Sequence, residues 1–151
     1  MRPKSPRLAV RAVLLHEGRL LLVNAFPDGQ SDLLCAPGGG VEIGSSLPAN
    51  LKREVYEETG LEIDVGAPCL VNEFHDPGGS FHQVDVYFRC TLRGGAQIDP
   101  SWQDVDRIVT EWHWLNAAEL AAVPHKPDSL GAVAFGGQDA LSYDPLEPIV
   151  R

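Results

Sequence analysis

Glu54, Glu57 and Glu58 crowd three carboxylates into five residues of one segment. On a helix, at about 100° per residue, Leu47, Leu51, Glu54 and Glu58 fall on one stripe with Val55 beside it. Two acids thus occupy positions where an amphipathic helix would place apolar side chains. Removing a carboxylate from water is costly unless it is paired or coordinates a cation, and Glu57 adds a third acid one turn from Glu54. A hard divalent cation would relieve the repulsion, and Mg²⁺ commonly binds through one or two carboxylates together with substrate phosphates. Arg53 stands four residues before Glu57, the spacing of a helix-stapling ion pair. Upstream, Gly38, Gly39 and Gly40 let a ligand approach the main chain, so a carbonyl there can join a metal. Taken as scattered acids alone, the same residues would make a turn followed by a solvated, salt-bridged helix.

The flanking residues set the element that must hold these groups. Ser45 or Ser46 can cap the first amides, Pro48 is tolerated in the first turn, and Gly60 supplies a left-handed terminator. The helix is therefore expected over residues 47–59, entered from the glycine loop.

The spacing says more than the residue types do. Gly39, Arg53, Glu54, Val55, Glu57, Glu58, Gly60 and Leu61 match the offsets of the Nudix box, G-x5-E-x7-R-E-U-x-E-E-x-G-U with U a bulky aliphatic residue. The segment resembles that of the Nudix hydrolases, and the likeness extends over residues 8–122, including the late stretch EWHWLNAAEL. Ser45 departs from the pattern, standing where the box has its first Glu. In the family that Glu braces the loop and the arginine, so its loss bears on loop rigidity.

The resemblance implies an α/β fold, an α/β/α sandwich whose mixed β-sheet carries helices on both faces. It also implies hydrolysis of a nucleoside diphosphate linked to another group, with Mg²⁺ as cofactor and Mn²⁺ as a substitute. Glu54 and Glu58 are expected to ligate the metal directly, Glu57 to ligate a metal or its waters, and the Gly38 carbonyl to join them. Arg53 completes the catalytic group, and Gly39 and Gly40 complete the motif loop. No separate organic cofactor is implied. Pro77 lies sixteen residues beyond the box, where members that hydrolyse ADP-ribose often carry proline, which favours ADP-ribose or another nucleotide sugar. A nucleoside triphosphate, oxidised or not, is the alternative substrate, and a Nudix module that senses a nucleotide without cleaving it is the alternative function.

Composition bounds these readings. A chain of 151 residues is one domain able to bury a core without staples. Cys35, Cys69 and Cys90 are odd in number and lack metal-site spacing, so they read as small buried residues of a reducing, cytoplasmic compartment. Arg11 and residues 16–19 interrupt the N-terminal apolar run, which argues against a signal peptide, and nothing reaches the length of a membrane span. A formal charge of −9 argues against nucleic-acid binding. A small-molecule nucleotide is the expected partner, no membrane is implied, and a homodimer is left open.

Along the chain, residues 8–15 and 19–25 read as a hairpin, the second strand central because RLLLVNA is apolar throughout. Residues 33–36 form a short strand. After the helix, 61–65 and 68–74 read as strands, 75–79 as a turn, and 81–92 as a strand with Val84, Val86 and Phe88 on one face. Residues 109–115 read as strand, 116–122 and 128–135 as short helices, and 136–151 as an extended arm.

Outside the box, Asp104 and Asp106 sit on the loop 101–107, where some family members hold an extra metal ligand or general base. Glu111 follows as a third candidate, although on a strand it could equally face solvent. Trp102, Phe26 and Phe74 could stack on a base or pack in the core, and His75 and His82 could reach phosphate or ribose.

Overall fold

The computed structural model describes residues 5–137 and 139–150. Strands β1 (Arg7–His16) and β2 (Arg19–Asn24) form the expected hairpin, turning through Glu17 and Gly18, both at positive φ. Two-residue β3 (Leu34–Cys35) and later β7 (Trp112–Leu115) both pair antiparallel with β2. This leaves β2 internal, as its unbroken apolar run requires. β5 (Ile63–His75) and β6 (His82–Leu92) form a long antiparallel pair, and β6 lies parallel to β1.

Alternation along these strands feeds two cores on opposite faces of the sheet. Val10, Ala12, Leu14, Leu21 and Phe88 pack with Leu51 and Val55 of helix α1 (Leu47–Thr59). Val13, Leu20, Leu22, Leu70 and Tyr87 pack with Leu120 of α2 (Ala117–Ala121) and Leu130 and Val133 of α3 (Leu130–Phe135). The result is a mixed sheet with helices on both faces.

Helix α1 has the expected bounds. The Ser46 hydroxyl accepts from the Ala49 amide at 3.1 Å, and Gly60 ends the helix at φ 75.

Three elements differ from the sequence expectation, and the C-terminal arm makes contacts that the sequence does not specify. The glycine loop is itself a short strand, β4 (Gly38–Gly40), antiparallel to β1. The stretches 61–65 and 68–74 are one strand with register shifts around Pro68, whose missing N–H cannot join the ladder. Residues 109–111 do not join β7, because their amides are drawn to side chains: Val109 donates to Asp104, and Thr110 and Glu111 to Asn24. The C-terminal arm, of which residues 138 and 151 lie outside the described residues, is stitched down. β8 (Ser142–Tyr143) and β9 (Glu147–Pro148) run parallel to β5, and Asp144 accepts from Asn72 and Ser129 at 2.9 and 2.7 Å.

Candidate active site

Helix α1 presents its acids toward β4 because Leu51 and Val55 anchor the same side of the helix in the core. Glu54 and Glu58 are 8% and 5% exposed, a degree of burial that demands partners. Glu58 Oε1 accepts from the Gly38 amide at 3.0 Å, and Glu54 Oε1 accepts from Arg53 Nη1 at 3.0 Å. The same guanidinium nitrogen reaches Glu57 Oε2 at 3.3 Å, so Arg53 makes the expected i,i+4 pair and binds its neighbour as well.

The glycines are required by close approach. A Cβ on Gly38, whose φ is 153, would lie 1.9 Å from the Val10 carbonyl oxygen across the β4–β1 pair. A Cβ on Gly39 would lie 2.5 Å from the Glu54 carboxylate. The loop backbone thus forms the cradle in which the buried acid rests. The Gly40 carbonyl lies 3.5 Å from Arg53 Nη2.

Burial raises both acids. Glu58 is pushed up to about 8 by loss of water, opposed by Arg11 and the Gly38 N–H and reinforced by Glu54 and Asp104. Burial also lifts Glu54, against the hydrogen bond and charge of Arg53 and with the repulsion of Glu57 and Asp106.

The loop 101–107 brings the fourth acid. Carboxylate oxygens of Glu54, Glu57 and Asp106 all lie within 4.8 Å of one another, a donor set of hard oxygens that suits a hard divalent cation. Three contacts hold the loop there. Trp102 donates its indole N–H to the Glu57 carbonyl at 2.9 Å and rests against Tyr56 and Gly60. Asp104 accepts from the Asp106, Ile108 and Val109 amides. Asn24 gives its amide to the Ile108 carbonyl at 2.7 Å and accepts from Thr110 and Glu111.

The other candidates fall elsewhere. Asp104 is only 5% exposed and lines the same cavity as Glu54 and Glu58, but both its oxygens organise the loop. Glu111 does not line that cavity; its half-exposed carboxylate lies 3.5 Å from His113. Trp102 is a packing residue. His82 pairs with Glu73 at 3.2 Å, and the ring of His75 packs beside it. Pro77 belongs to a turn shaped by Asp76, which accepts from the Gly78 amide at 2.9 Å. Phe26 and Phe74 line a second cavity that meets the acidic one.

Several site residues escape the sequence reading. Asn50, 1% exposed, accepts from the Glu42 amide and Arg53 Nη2, and donates to the Ser45 and Ser46 carbonyls. Together with Glu42, 3.8 Å from Arg53, it braces the loop that Ser45 leaves short of a carboxylate. Arg7 and Arg11 project from β1 into both cavities. Arg7 Nη1 donates to Gln83 Oε1 at 2.6 Å, Gln83 Nε2 to Asp85 Oδ1 at 2.7 Å, and Arg11 pairs with Asp85 at 3.5 Å. The available signal was a charge inside an apolar strand, and a β6 face of Gln83, Asp85 and Tyr87 alternating with the valines.

A family model described as the NUDIX domain matches residues 5–134. The chain belongs to the Nudix family. An ADP-ribose pyrophosphatase of Methanocaldococcus jannaschii is 28% identical over 90 residues, which span 60% of this chain and 53% of that protein. Nucleoside diphosphate-linked moiety X motif 6 of Mus musculus is 26% identical over 128 residues, 84% of this chain and 37% of that protein. The chain thus spans about half or less of the length of these two relatives. Among solved structures, a UDP-X diphosphatase superposes with a TM-score of 0.71 at 20% identity, covering 95% of this chain and 70% of that one, a likeness of fold. In Nudix terms, the acids of the box lie on α1, and loop 101–107 supplies one more.

Proposed function

We propose that this Nudix chain hydrolyses the phosphoanhydride of a nucleoside diphosphate linked to another group, with Mg²⁺ bound among its acids. The observation that carries this reading is the convergence of Glu54, Glu57 and Asp106 within 4.8 Å, beside two arginines at the mouth of an aromatic-lined cavity. Anionic and cationic groups facing one cleft suit a phosphorylated substrate whose charge must be shared between them.

Glu54, Glu57 and Glu58 would hold the cation, with the Gly38 carbonyl on the loop side, and Asp106, which faces Glu54 and Glu57 from the loop, is left for the attacking water. When bound, the ion neutralises charge on the phosphoryl oxygens and acidifies water. Arg7 and Arg11 orient the diphosphate, and their chain of bonds through Gln83 and Asp85 fixes where they point. Water attacks one phosphorus, the P–O bond to the other phosphate breaks, and the proton passes to the Asp106 carboxylate. Asp104 is less suited to this role, since both its oxygens already accept backbone N–H groups of the loop. Positioning and fixed charge do most of the work in such a transfer.

ADP-ribose or another nucleotide sugar is the favoured substrate, supported by the named activity of the Methanocaldococcus jannaschii relative. The test is release of nucleoside monophosphate from a panel of ADP-ribose, UDP-sugars and nucleoside triphosphates, with Mg²⁺ or with chelator. Mg²⁺-dependent turnover of a diphosphate-linked substrate is expected. Binding without turnover of any of them would replace the enzyme by a sensor.

A further inference from the structure

The second cavity lies behind Arg7 and Arg11, away from Glu54, Glu58 and Asp106. Its volume is about 220 Å³ and that of the acidic one about 230 Å³. Each is smaller than the ~300–1,000 Å³ usual for a small-molecule site, and the two together fall inside that range. They share Arg7, Arg11, Ala25 and Cys35, so the two cavities adjoin at these residues. The walls of the second cavity are unlike those of the first. Phe26, Phe74 and Phe81 line it, with the Phe74 and Phe81 rings 5.9 Å apart and tilted by 42°.

The outer wall is the C-terminal arm. Glu147, Pro148, Ile149 and Val150 all line the cavity. They are held there by the parallel pairing of β9 with Phe74 and His75, and by the Ile149 amide donating to the His75 carbonyl at 2.8 Å. The three phenylalanines suit the flat face of a heteroaromatic ring, and Asn72, Gln83, Asp85, Lys126 and Glu147 on the same walls offer polar groups to its edge.

We propose that the base of the nucleotide occupies this cavity and that residues 147–150 of the arm form its outer wall, making the arm the part of the chain that selects the base. The inference rests on the proposed reading that the adjoining acidic cleft takes the diphosphate. It places the diphosphate across Arg7 and Arg11, between the base and the acids.

The test is direct binding of nucleoside monophosphates and of ribose 5-phosphate, by calorimetry or ligand-observed NMR with no metal and no turnover. Folding of each variant is checked by circular dichroism. Nucleoside monophosphates are expected to bind at least tenfold tighter than ribose 5-phosphate. Ile149→Trp, which fills the cavity from the arm, should abolish that advantage and leave ribose 5-phosphate binding within twofold of the parent. Ile149→Ala, a gentler change, should alter the order of preference among bases. Equal affinity for ribose 5-phosphate and nucleotides, binding of neither, or unchanged base preference in both variants would overturn the proposal. The two readings fail separately. Base binding that is lost in Ile149→Trp, in a protein that hydrolyses nothing, removes the enzyme and keeps the base site. Hydrolysis with unchanged KM and base preference in both variants removes the base site and keeps the enzyme.

Discussion

The Trp102 indole and the Glu57 main chain are joined by a 2.9 Å hydrogen bond, tying the loop that carries Asp106 to the helix that carries Glu54 and Glu57. Without it, the contacts of Asp104 and Asn24 alone would have to hold Asp106 against two like charges. Trp102→Ala removes both the bond and the ring packed on Tyr56 and Gly60. We expect kcat to fall by roughly tenfold or more, equivalent to ~1.4 kcal/mol, and trypsin to cut faster after Arg107. Trp102→Phe keeps the ring and should lose less. Wild-type kinetics and proteolysis in Trp102→Ala would show that the loop holds itself.

Ser45 lacks the carboxylate of the Nudix box, yet Arg53 is braced by Asn50 at 3.0 Å and approached by Glu42 at 3.8 Å. Asn50→Ala strips four hydrogen bonds from a residue that is 1% exposed. Unsatisfied buried groups cost ~1–3 kcal/mol each, so a clear drop in Tm is expected. Ser45→Glu should change little in the parent, where Arg53 already has partners, and should restore stability in the Asn50→Ala background. Equal effects of Ser45→Glu in both backgrounds would separate the two residues.

Gly39→Ala tests the cradle. The added methyl would lie 2.5 to 2.9 Å from the carboxyl atoms of Glu54, so the acid must move. The prediction is a loss of Mg²⁺ affinity of at least tenfold, read by calorimetry, with the fold retained by circular dichroism. Unchanged affinity would mean that Glu54 does not hold the ion in this position.

Much of this architecture is legible from spacing. The caps at Ser46 and Gly60 bound α1, and the glutamate stripe beside Leu51 and Val55 announces that acids enter the core. What could not be read are contacts made across the chain. Nothing in the local pattern says that Asn24 takes the amides of Thr110 and Glu111 out of a strand, or that Trp102 reaches Glu57. The polar face of β6 is masked in the sequence because Val84, Val86 and Phe88 define the strand so clearly. Yet Gln83 and Asp85, at 2% and 3% exposure, are buried as deeply as core residues. Ion pairs such as Arg11 with Asp85 arise from register between strands far apart in sequence. The arm lacked hydrophobic periodicity because it adds only two residues at a time to the edge of β5.

Stability should depend on pH and metal together. Glu58 is pushed from about 4.5 up to about 8, first by burial and then by Glu54 and Asp104. A carboxyl raised on folding is held more tightly protonated in the folded state, so its contribution is present at low pH and lost as pH rises through that window. The metal-free protein should therefore lose Tm between about pH 4.5 and 8 from this residue. A bound cation opposes the penalty. The gain in Tm on adding Mg²⁺ should accordingly be larger at pH 8 than at pH 5.5, measured by scanning calorimetry. Equal gains at both values would detach Glu58 from the ion.

The last prediction separates the acid that takes the proton from those that hold the ion. Asp106 is exposed and comes from a loop, whereas Glu54 is 8% exposed and held between Gly39 and Arg53. An exposed acid facing the helix can accept a proton and release it to solvent; a buried one cradled by backbone is suited to permanent ligation. Asp106→Asn should lower kcat by roughly 10²-fold or more, on the scale of a lost general base. Its Mg²⁺ affinity should fall by less than about threefold, because Glu54, Glu57 and Glu58 remain. Glu54→Gln should lose Mg²⁺ affinity as well as turnover, since the neutral amide brings less charge to the ion. Asp104→Asn should cost mainly stability, because its carboxylate serves the Ile108 and Val109 amides. Calorimetric titration of Mg²⁺ beside steady-state kinetics on the same variants gives both readouts. A parallel loss of affinity and turnover in Asp106→Asn would make Asp106 a ligand and leave proton transfer to a glutamate of α1.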